Sequence, residues 1–512
     1  SGCRRSPGTG ARLNRAVHRV IVVGAGMGGL AAAADLARQG RHVTVFERAS
    51  AAGGKLRSVS VNGQQIDAGP TVFTMHEVFA QLFRDCGQRL EDHLDLERAD
   101  ILARHSWSSG GVLDLHADVQ RSAAAIREFA GAREAQGYLD LCHRSARVYA
   151  SLRDSFMTVA RPSPAQLVAQ LGVQGLAAMW RTPPWQSLWQ ALGSHFRDPR
   201  LRQLFGRYAT YVGSSPLAAP ATLMLIAHVE QTGVWLVRGG MRKVAHALES
   251  LGRSQGAAYR YDMAIQRILT RDGRVVGVEL QSGEFVEADA VVFNGDANAL
   301  ASGALGEDVR QAARPIVPQQ RGLSAVTWCL HARTSGFALH HHNVFFADDY
   351  PREFAAIFAD RRITTEPTVY LCAQDRGAAS GIPVDAQGRE RMLLLVNAPA
   401  DGDRGGIDDA SLTHLEQRVF DLLERCNLHL ERQPGDAVVT RPQDFESLFP
   451  CTGGALYGRA NHGAFASFEK PASQTRIGGL YLAGGSAHPG PGIPMATLSG
   501  RLAAARLAAD AG

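Results

Sequence analysis

The patterned part of the chain begins with His18 to Val23, a short, nearly continuous apolar run that ends in glycine. Such a run predicts a strand buried on both faces of a parallel sheet. A helix is expected from about Gly28 to Arg38, with alanines on several faces and Gly40 ending it. His42 to Phe46 reads as a second strand, which completes a βαβ start. Residues 76 to 234 then turn polar and helix-rich. Period-two alternation returns over 256 to 295: Arg267 to Val278 is a hairpin about Asp272-Gly273, and Ala290 to Asn294 is another buried strand. Ser324 to Leu330, Thr368 to Cys372 and Arg391 to Val396 predict strands of a second sheet. Ser411 to Arg425 predicts a helix, and Pro494 to Ala508 predicts an alanine-rich helix that starts directly after a glycine loop. No internal repeat is visible.

At 512 residues and 45% hydrophobic, the chain holds more than one ordinary domain and ample core. The net charge of +5 does not point to nucleic acid. All but three of the 54 basic residues are arginine, and they are spread without a basic stripe. The seven cysteines form no CxxC pair and read as reduced, mostly buried thiols of a cytosolic protein. Residues 1–17 read as a disordered basic tail, with no apolar segment that would make it a secretory signal. Tyr208 to Val229 carries no charged residue, but Pro216 and Pro220 break it, so a buried helix entered through a proline-capped turn is expected rather than a membrane span. Pro162 to Trp189, with Trp180, Trp185 and Trp189, fits either aromatic packing in a helical subdomain or a membrane-facing lip.

The chemistry lies at the two ends. Gly24, Gly26 and Gly29 fit G-x-G-x-x-G between strand and helix. The first permits the tight turn, the second lets backbone N–H groups approach a pyrophosphate, and the third lets helix and strand pack closely. The helix N-terminus adds positive potential. Glu47 ends the second strand, where a carboxylate accepts hydrogen bonds from an adenosine ribose. Gly53-Gly54-Lys55 continues along the pyrophosphate. Far downstream, Gly484-Gly485-Ser486 and Pro494-Met495 return to open a helix whose N-terminus can stabilise negative charge on a reduced flavin ring. An NAD enzyme does not require that return, so the cofactor expected is FAD. There is no second G-x-G-x-x-G and hence no built-in NAD(P)H site. The substrate would donate the hydride, and electrons would leave to an external acceptor, quinone or oxygen.

Over residues 18 to 508 the chain resembles the bacterial phytoene desaturase-type carotenoid desaturases. The segments that carry this are Asp67-Ala68-Gly69-Pro70-Thr71, Gly233-Val234-Trp235 with Gly239-Gly240-Met241, His341-His342-Asn343-Val344-Phe345-Phe346, and His488-Pro489-Gly490-Pro491-Gly492-Ile493-Pro494. Phe205 to Pro216 and Phe449 to Gly458 are similar to the branch of purple bacteria that desaturates 1-hydroxycarotenoids at C3–C4, the hydroxyneurosporene desaturases. The resemblance implies an α/β architecture: a Rossmann-like, two-dinucleotide-binding FAD domain (18–75, 235–300 and 455–512) with a discontinuous α+β substrate domain (76–234 and 301–454). It implies non-covalent FAD, a lipophilic acyclic carotenoid drawn from the membrane, and peripheral association of a cytoplasmic protein with the inner or intracytoplasmic membrane. Carried over by motif, the FAD contacts are Gly24, Gly26, Gly29, Glu47, Gly54, Lys55, Ile265, Gly485 and Met495.

No metal is expected: His340-His341-His342 would alternate faces along a strand, which is poor chelation geometry. No catalytic residue is named beyond His488, whose loop should approach the flavin and whose other reading is a hydrogen bond that shapes the loop. Glu230 and His228 read as helix-end groups that could border the tunnel, and Cys451 as an inert thiol. Three other readings stay open: a desaturase of different bond specificity, such as a phytoene or neurosporene desaturase, or a related isomerase or saturase; a flavin amine oxidase, which usually places a lysine behind the flavin; and a non-enzymatic isoprenoid-binding protein of the same fold.

Overall fold

The apolar run at the start of the chain becomes the middle strand of a five-stranded parallel sheet. The computed structural model describes residues 18–160, 185–377, 385–433 and 435–511. The expectations for residues 1–17, for Trp180 and for most of the Pro162–Trp189 segment lie outside them. The sheet runs in the order Ala258–Arg260, His42–Phe46, Arg19–Val23, Ala290–Phe293, Leu480–Leu482, with every pairing parallel. The strand order therefore reverses at the first strand, the switch point at whose crevice open α/β sheets bind dinucleotides.

Alternation along these strands feeds two different layers. Val20, Val22, Val43, Val45 and Val292 pack with the alanines of the helix Met27–Arg38, with Arg242–Ser254 and with the C-terminal helix Ile493–Ala511. Ile21, Phe46, Val291, Phe293 and Leu480 face an antiparallel layer made by Ile265–Arg271, Arg274–Leu280 and Phe285–Glu287. The first two strands of that layer turn at Asp272-Gly273, where both residues have positive φ (52° and 73°). Met27 through Ala37 are all buried, which is why alanine serves on every side of that helix. The C-terminal helix lies so close that a Cβ on Gly500 would stand 2.0 Å from the Gly28 carbonyl oxygen. Asp35, buried between these helices, accepts from Arg38 Nε at 2.7 Å and Arg501 Nε at 2.9 Å, so its charge is paired.

The second sheet has eight strands, ordered Leu428–Glu431, Ser324–Gly336, Glu390–Ala398, Val369–Ala373, His342–Phe346, Ile101–Trp107, Val112–His116, with Ala437–Thr440 also pairing the long strand Ser324–Gly336. It is antiparallel except where His342–Phe346 meets Ile101–Trp107. Val234–Val237 pairs with Phe73–Thr74 and Leu96–Arg98 in a small sheet beside it. Helices from the middle of the chain, among them Ala132–Leu152, Leu188–His195 and Leu225–Thr232, cover one side. The uncharged Tyr208–Val229 stretch resolves into short helical turns, Arg207–Val212 and Ala221–Met224, that lead into Leu225–Thr232. Among the described residues, no helix is long and apolar enough to cross a membrane. The six described cysteines are unpaired, five of them buried.

One buried acid pins this second layer. Glu353, on the helix Tyr350–Phe358, accepts from the Thr368 backbone N–H at 3.1 Å and from Asn397 Nδ2 at 3.0 Å. Burial pushes its carboxyl up to about 7, against those hydrogen bonds. The folded state thus keeps a proton that an unfolded glutamate releases near 4.5. The associated stability is full below pH 4.5 and is lost as pH rises through about 7. Glu353→Gln should flatten the fall in denaturation midpoint across that window, measured by urea unfolding from pH 4.5 to 8; an unchanged slope would contradict the assignment.

Candidate active site

A single cavity of about 2240 Å³ runs from the N-terminal glycine turn past the C-terminal loop and between the second sheet and its helices. A small-molecule pocket is usually about 300–1,000 Å³, so this space suits a dinucleotide together with a long second ligand.

The glycine end is built from backbone. The Gly24 turn follows the first strand, and its N–H donates to the Phe46 carbonyl at 2.8 Å. Asn294, at the end of the fourth strand, donates through Nδ2 to the Gly24 carbonyl at 3.1 Å. A Cβ on Gly29 would come 2.0 Å from that same carbonyl oxygen, so only glycine fits there. A Cβ on Gly28 would meet the Gly484 backbone nitrogen at 2.7 Å. Gly28, the residue between the fingerprint positions, is therefore where the two chain ends touch. Gly53 donates to the Ala25 carbonyl at 2.9 Å, which places the Gly53-Gly54 turn against the first glycine turn.

The expected residues gather as follows. Gly24, Gly26, Glu47, Gly54, Lys55, Ile265, Gly485 and Met495 all line the cavity. Gly29 stands behind the wall and shapes it. The Glu47 carboxylate accepts from the Ala25 N–H at 2.7 Å and the Ala49 N–H at 2.9 Å. Lys55 Nζ donates to the Leu456 carbonyl at 2.5 Å. Burial lowers its ammonium, and Asp296, also on the wall, opposes that shift. Ile265 begins its strand at the wall, next to Met263 and Ala264. The helix Ile493–Ala511 directs its first turn, Ile493 to Ala496, at the cavity.

The motif segments lock onto one another. The Met241 N–H donates to the Asp67 carboxylate at 2.6 Å, which joins Asp67-Ala68-Gly69 to Gly239-Gly240-Met241. A Cβ on Gly69 would lie 1.8 Å from the Lys55 carbonyl oxygen. Thr71 then shares a hydrogen bond of 2.7 Å with the Tyr370 hydroxyl, and that hydroxyl lies 2.7 Å from His342 Nδ1.

The remaining candidates are placed as follows, and the histidine reading needs correction. His488 does not line the cavity; its Nε2 donates to the Phe156 carbonyl at 2.9 Å, and burial lowers its imidazole to about 4. This is the loop-shaping hydrogen bond of its two expected readings. His341 and His342 do not point apart. The strand begins only at His342, so alternation does not yet govern His341, and the two rings lie 4.6 Å apart beside Cys372. Each Nδ1 is already engaged, with the Arg376 carbonyl and the Tyr370 hydroxyl. Glu230 does border the cavity, buried on its wall rather than standing as a free helix-end charge, and accepts from Tyr208 and Tyr211 at 2.7 and 2.6 Å. Cys451 lines the cavity, and burial raises its thiol. Of the three lysines only Lys55 lines the cavity; Lys243 is exposed, and Lys470 lies beneath Gly490, where burial brings its ammonium down to about 8.

Beyond the glycine end the wall turns apolar, with Val148, Leu152, Leu223, Leu225, Ile226 and Val229. It reaches the surface at Phe465, which is 56% exposed. The Phe465 loop is tied to the turn of exposed Leu217 by the Gly463 N–H to the Ala218 carbonyl. That turn is tied in turn to the segment of Trp185, 73% exposed, by the Leu188 N–H to the Ala219 carbonyl. Trp189 packs inward under Arg202.

A parallel sheet with a glycine turn at its switch point, met by a returning C-terminal helix, defines a dinucleotide-binding flavoprotein with a large second site. Residues 27–508 match the flavin containing amine oxidoreductases, and the chain belongs to that family, among its carotenoid desaturases. It is 51% identical to the hydroxyneurosporene desaturase of Rubrivivax gelatinosus, over 96% of this chain and 93% of that one. It is 43% identical to the hydroxyneurosporene desaturase of Cereibacter sphaeroides, over 97% and 99%. A putrescine oxidase bound to putrescine shares the fold at 15% identity, with a TM-score of 0.58 over 96% of this chain and 99% of that one. The cofactor is FAD, and the enzyme is an oxidoreductase.

The cradle fits that cofactor, because the places where a Cβ would intrude are glycines. Gly29→Val should yield protein without bound flavin, read from the absorption spectrum after purification. A yellow Gly29→Val protein with wild-type flavin content would contradict this account of the turn.

Proposed function

We propose that this chain removes two hydrogens across C3–C4 of an acyclic carotenoid carrying a hydroxyl or methoxyl on C1. The observation that carries the reading is the continuity of the cavity: one wall leads from the glycine turns, past Thr71 and Tyr370, into a largely apolar space, with volume enough for a second ligand beside a dinucleotide. Bound FAD supplies a two-electron acceptor for a hydride leaving the allylic carbon.

The chain's own residues do the rest. Gly24, Gly26, Glu47, Gly54, Lys55, Ile265, Gly485 and Met495 hold and orient the cofactor, with the first turn of the C-terminal helix offering its N–H groups to negative charge. The aliphatic wall excludes water and fixes the reacting carbons. The conjugated chain delocalises the cationic character left by hydride loss, so the proton that the neighbouring carbon then gives up to form the double bond can leave to a weak acceptor such as water, without a strong protein base. His488, with both its role and its place in the loop given over to Phe156, supplies none. Trp185, Leu217 and Phe465 support uptake of the substrate from a membrane surface at the cavity mouth. The electrons pass on to an external acceptor, quinone or oxygen.

Expression in cells that accumulate hydroxyneurosporene, and separately in cells that accumulate neurosporene or phytoene, tests the reading. Pigment analysis should give a red-shifted product two hydrogens lighter from the hydroxylated carotenoid, in strong preference to neurosporene or phytoene. Conversion of phytoene, with the hydroxylated carotenoid untouched, would refute it.

A further inference from the structure

Among the charged side chains that line this largely apolar space, one arginine is deeply buried. Arg207, 8% exposed, lines the cavity together with Tyr211 and Glu230. Its Nη2 donates to the Tyr211 hydroxyl at 2.9 Å, and that hydroxyl donates to Glu230 Oε1 at 2.6 Å. Tyr208 donates to Oε2 at 2.7 Å. Both oxygens of the carboxylate are thus served, whereas Arg207 Nε has no partner among the described residues. A guanidinium presents five N–H donors, accepts nothing and does not lose its charge in a protein. Stability does not explain its presence, because replacing a buried charge cluster by apolar side chains is commonly neutral or stabilising.

Its position is specific. Arg207 shares the cavity wall with Tyr370, whose hydroxyl meets Thr71, two residues past the Gly69 that packs on Lys55. On another side, Gly213, which caps the Arg207–Val212 turn, packs against Tyr457, next to the Leu456 carbonyl that accepts from Lys55. The turn that carries Arg207 is therefore joined to the cofactor end of the cavity through Gly213 and Tyr457. In a C3–C4 desaturation the oxygen on C1 is only a few bonds from the reacting carbons, so whatever reads that oxygen must stand at this end.

We propose that Arg207, positioned by Tyr211 and Glu230, donates a hydrogen bond to the C1 oxygen of the substrate and selects oxygenated carotenoid ends over hydrocarbon ones. The inference rests on the function proposed above. A donor-only group accepts a hydroxyl and its methyl ether alike, because both offer a lone pair. A hydrocarbon end leaves the buried guanidinium unmatched, and sites of this kind reject such analogues strongly.

The test is kcat/KM of purified holoenzyme for 1-hydroxyneurosporene, its 1-methoxy ether and neurosporene, in wild type, Arg207→Met and Arg207→Lys, with flavin content recorded for each. Wild type should use both oxygenated substrates. Arg207→Met should lose about ten- to a hundredfold on both and nothing on neurosporene, the size expected for one hydrogen bond from a charged donor. Arg207→Lys should recover part of the loss. An unchanged ratio of oxygenated to hydrocarbon substrate in Arg207→Met overturns the assignment, as does a wild type that takes the alcohol but rejects the ether, which would mean an acceptor reads the hydroxyl proton. If Arg207→Met fails to fold, Tyr211→Phe, which frees the guanidinium from its anchor, must shift the same ratio, and an unshifted ratio overturns the proposal. A wild type inactive on every C1-oxygenated carotenoid defeats the proposed function itself, and this inference with it.

Discussion

The structure depends on one contact made without side chains. The start of the helix Met27–Arg38 meets both the returning loop at Gly484 and the C-terminal helix at Gly500, at distances where a Cβ would strike backbone. Interiors packed at crystal-like density have no slack to absorb such an intrusion. Because this clasp holds, the Gly24 turn, the Gly53-Gly54 turn and the first turn of the C-terminal helix face one space. The buried Asp35, shared by Arg38 and Arg501, closes the same seam with charge.

From that seam the cavity divides by chemistry. Its glycine end presents backbone N–H groups, Lys55 and Asp296, which suit a dinucleotide. Its far part presents aliphatic side chains, which suit a hydrocarbon and keep water out. Between them lies a band of hydroxyl, carboxylate and guanidinium groups: Thr71, Tyr370, Tyr211, Glu230 and Arg207. A wall meant only to hold a polyene needs no such band, and its nearness to the cofactor end gives it the chance to read one end of the substrate.

Much of this was legible in the sequence because it is local. Short apolar runs marked the inner strands of the parallel sheet, alternation marked the hairpin beside it, and the glycine fingerprint marked the cradle. The Ile493–Ala511 helix was expected from its alanines and the loop before it. What was not legible depends on closure between distant segments. Gly28 looks like a spacer until Gly484 and Gly500 arrive beside it. Glu230 reads as a helix-end acid until Tyr208 and Tyr211 turn toward it. His341 and His342 were expected on opposite faces, and the strand boundary between them defeats that rule. His488 sits in the most telling loop of the chain, yet its partner is Phe156, from a helical segment no sequence pattern connects to it.

The central claim is that a single cavity brings a carotenoid directly against bound FAD. Anaerobic mixing of the purified yellow holoenzyme with 1-hydroxyneurosporene in liposomes, with no electron acceptor present, tests it most directly. The account predicts that the flavin absorbance bleaches in one turnover while an equal amount of pigment two hydrogens lighter forms. Flavin that stays oxidised while the carotenoid remains unchanged, in protein shown to carry FAD, would contradict it.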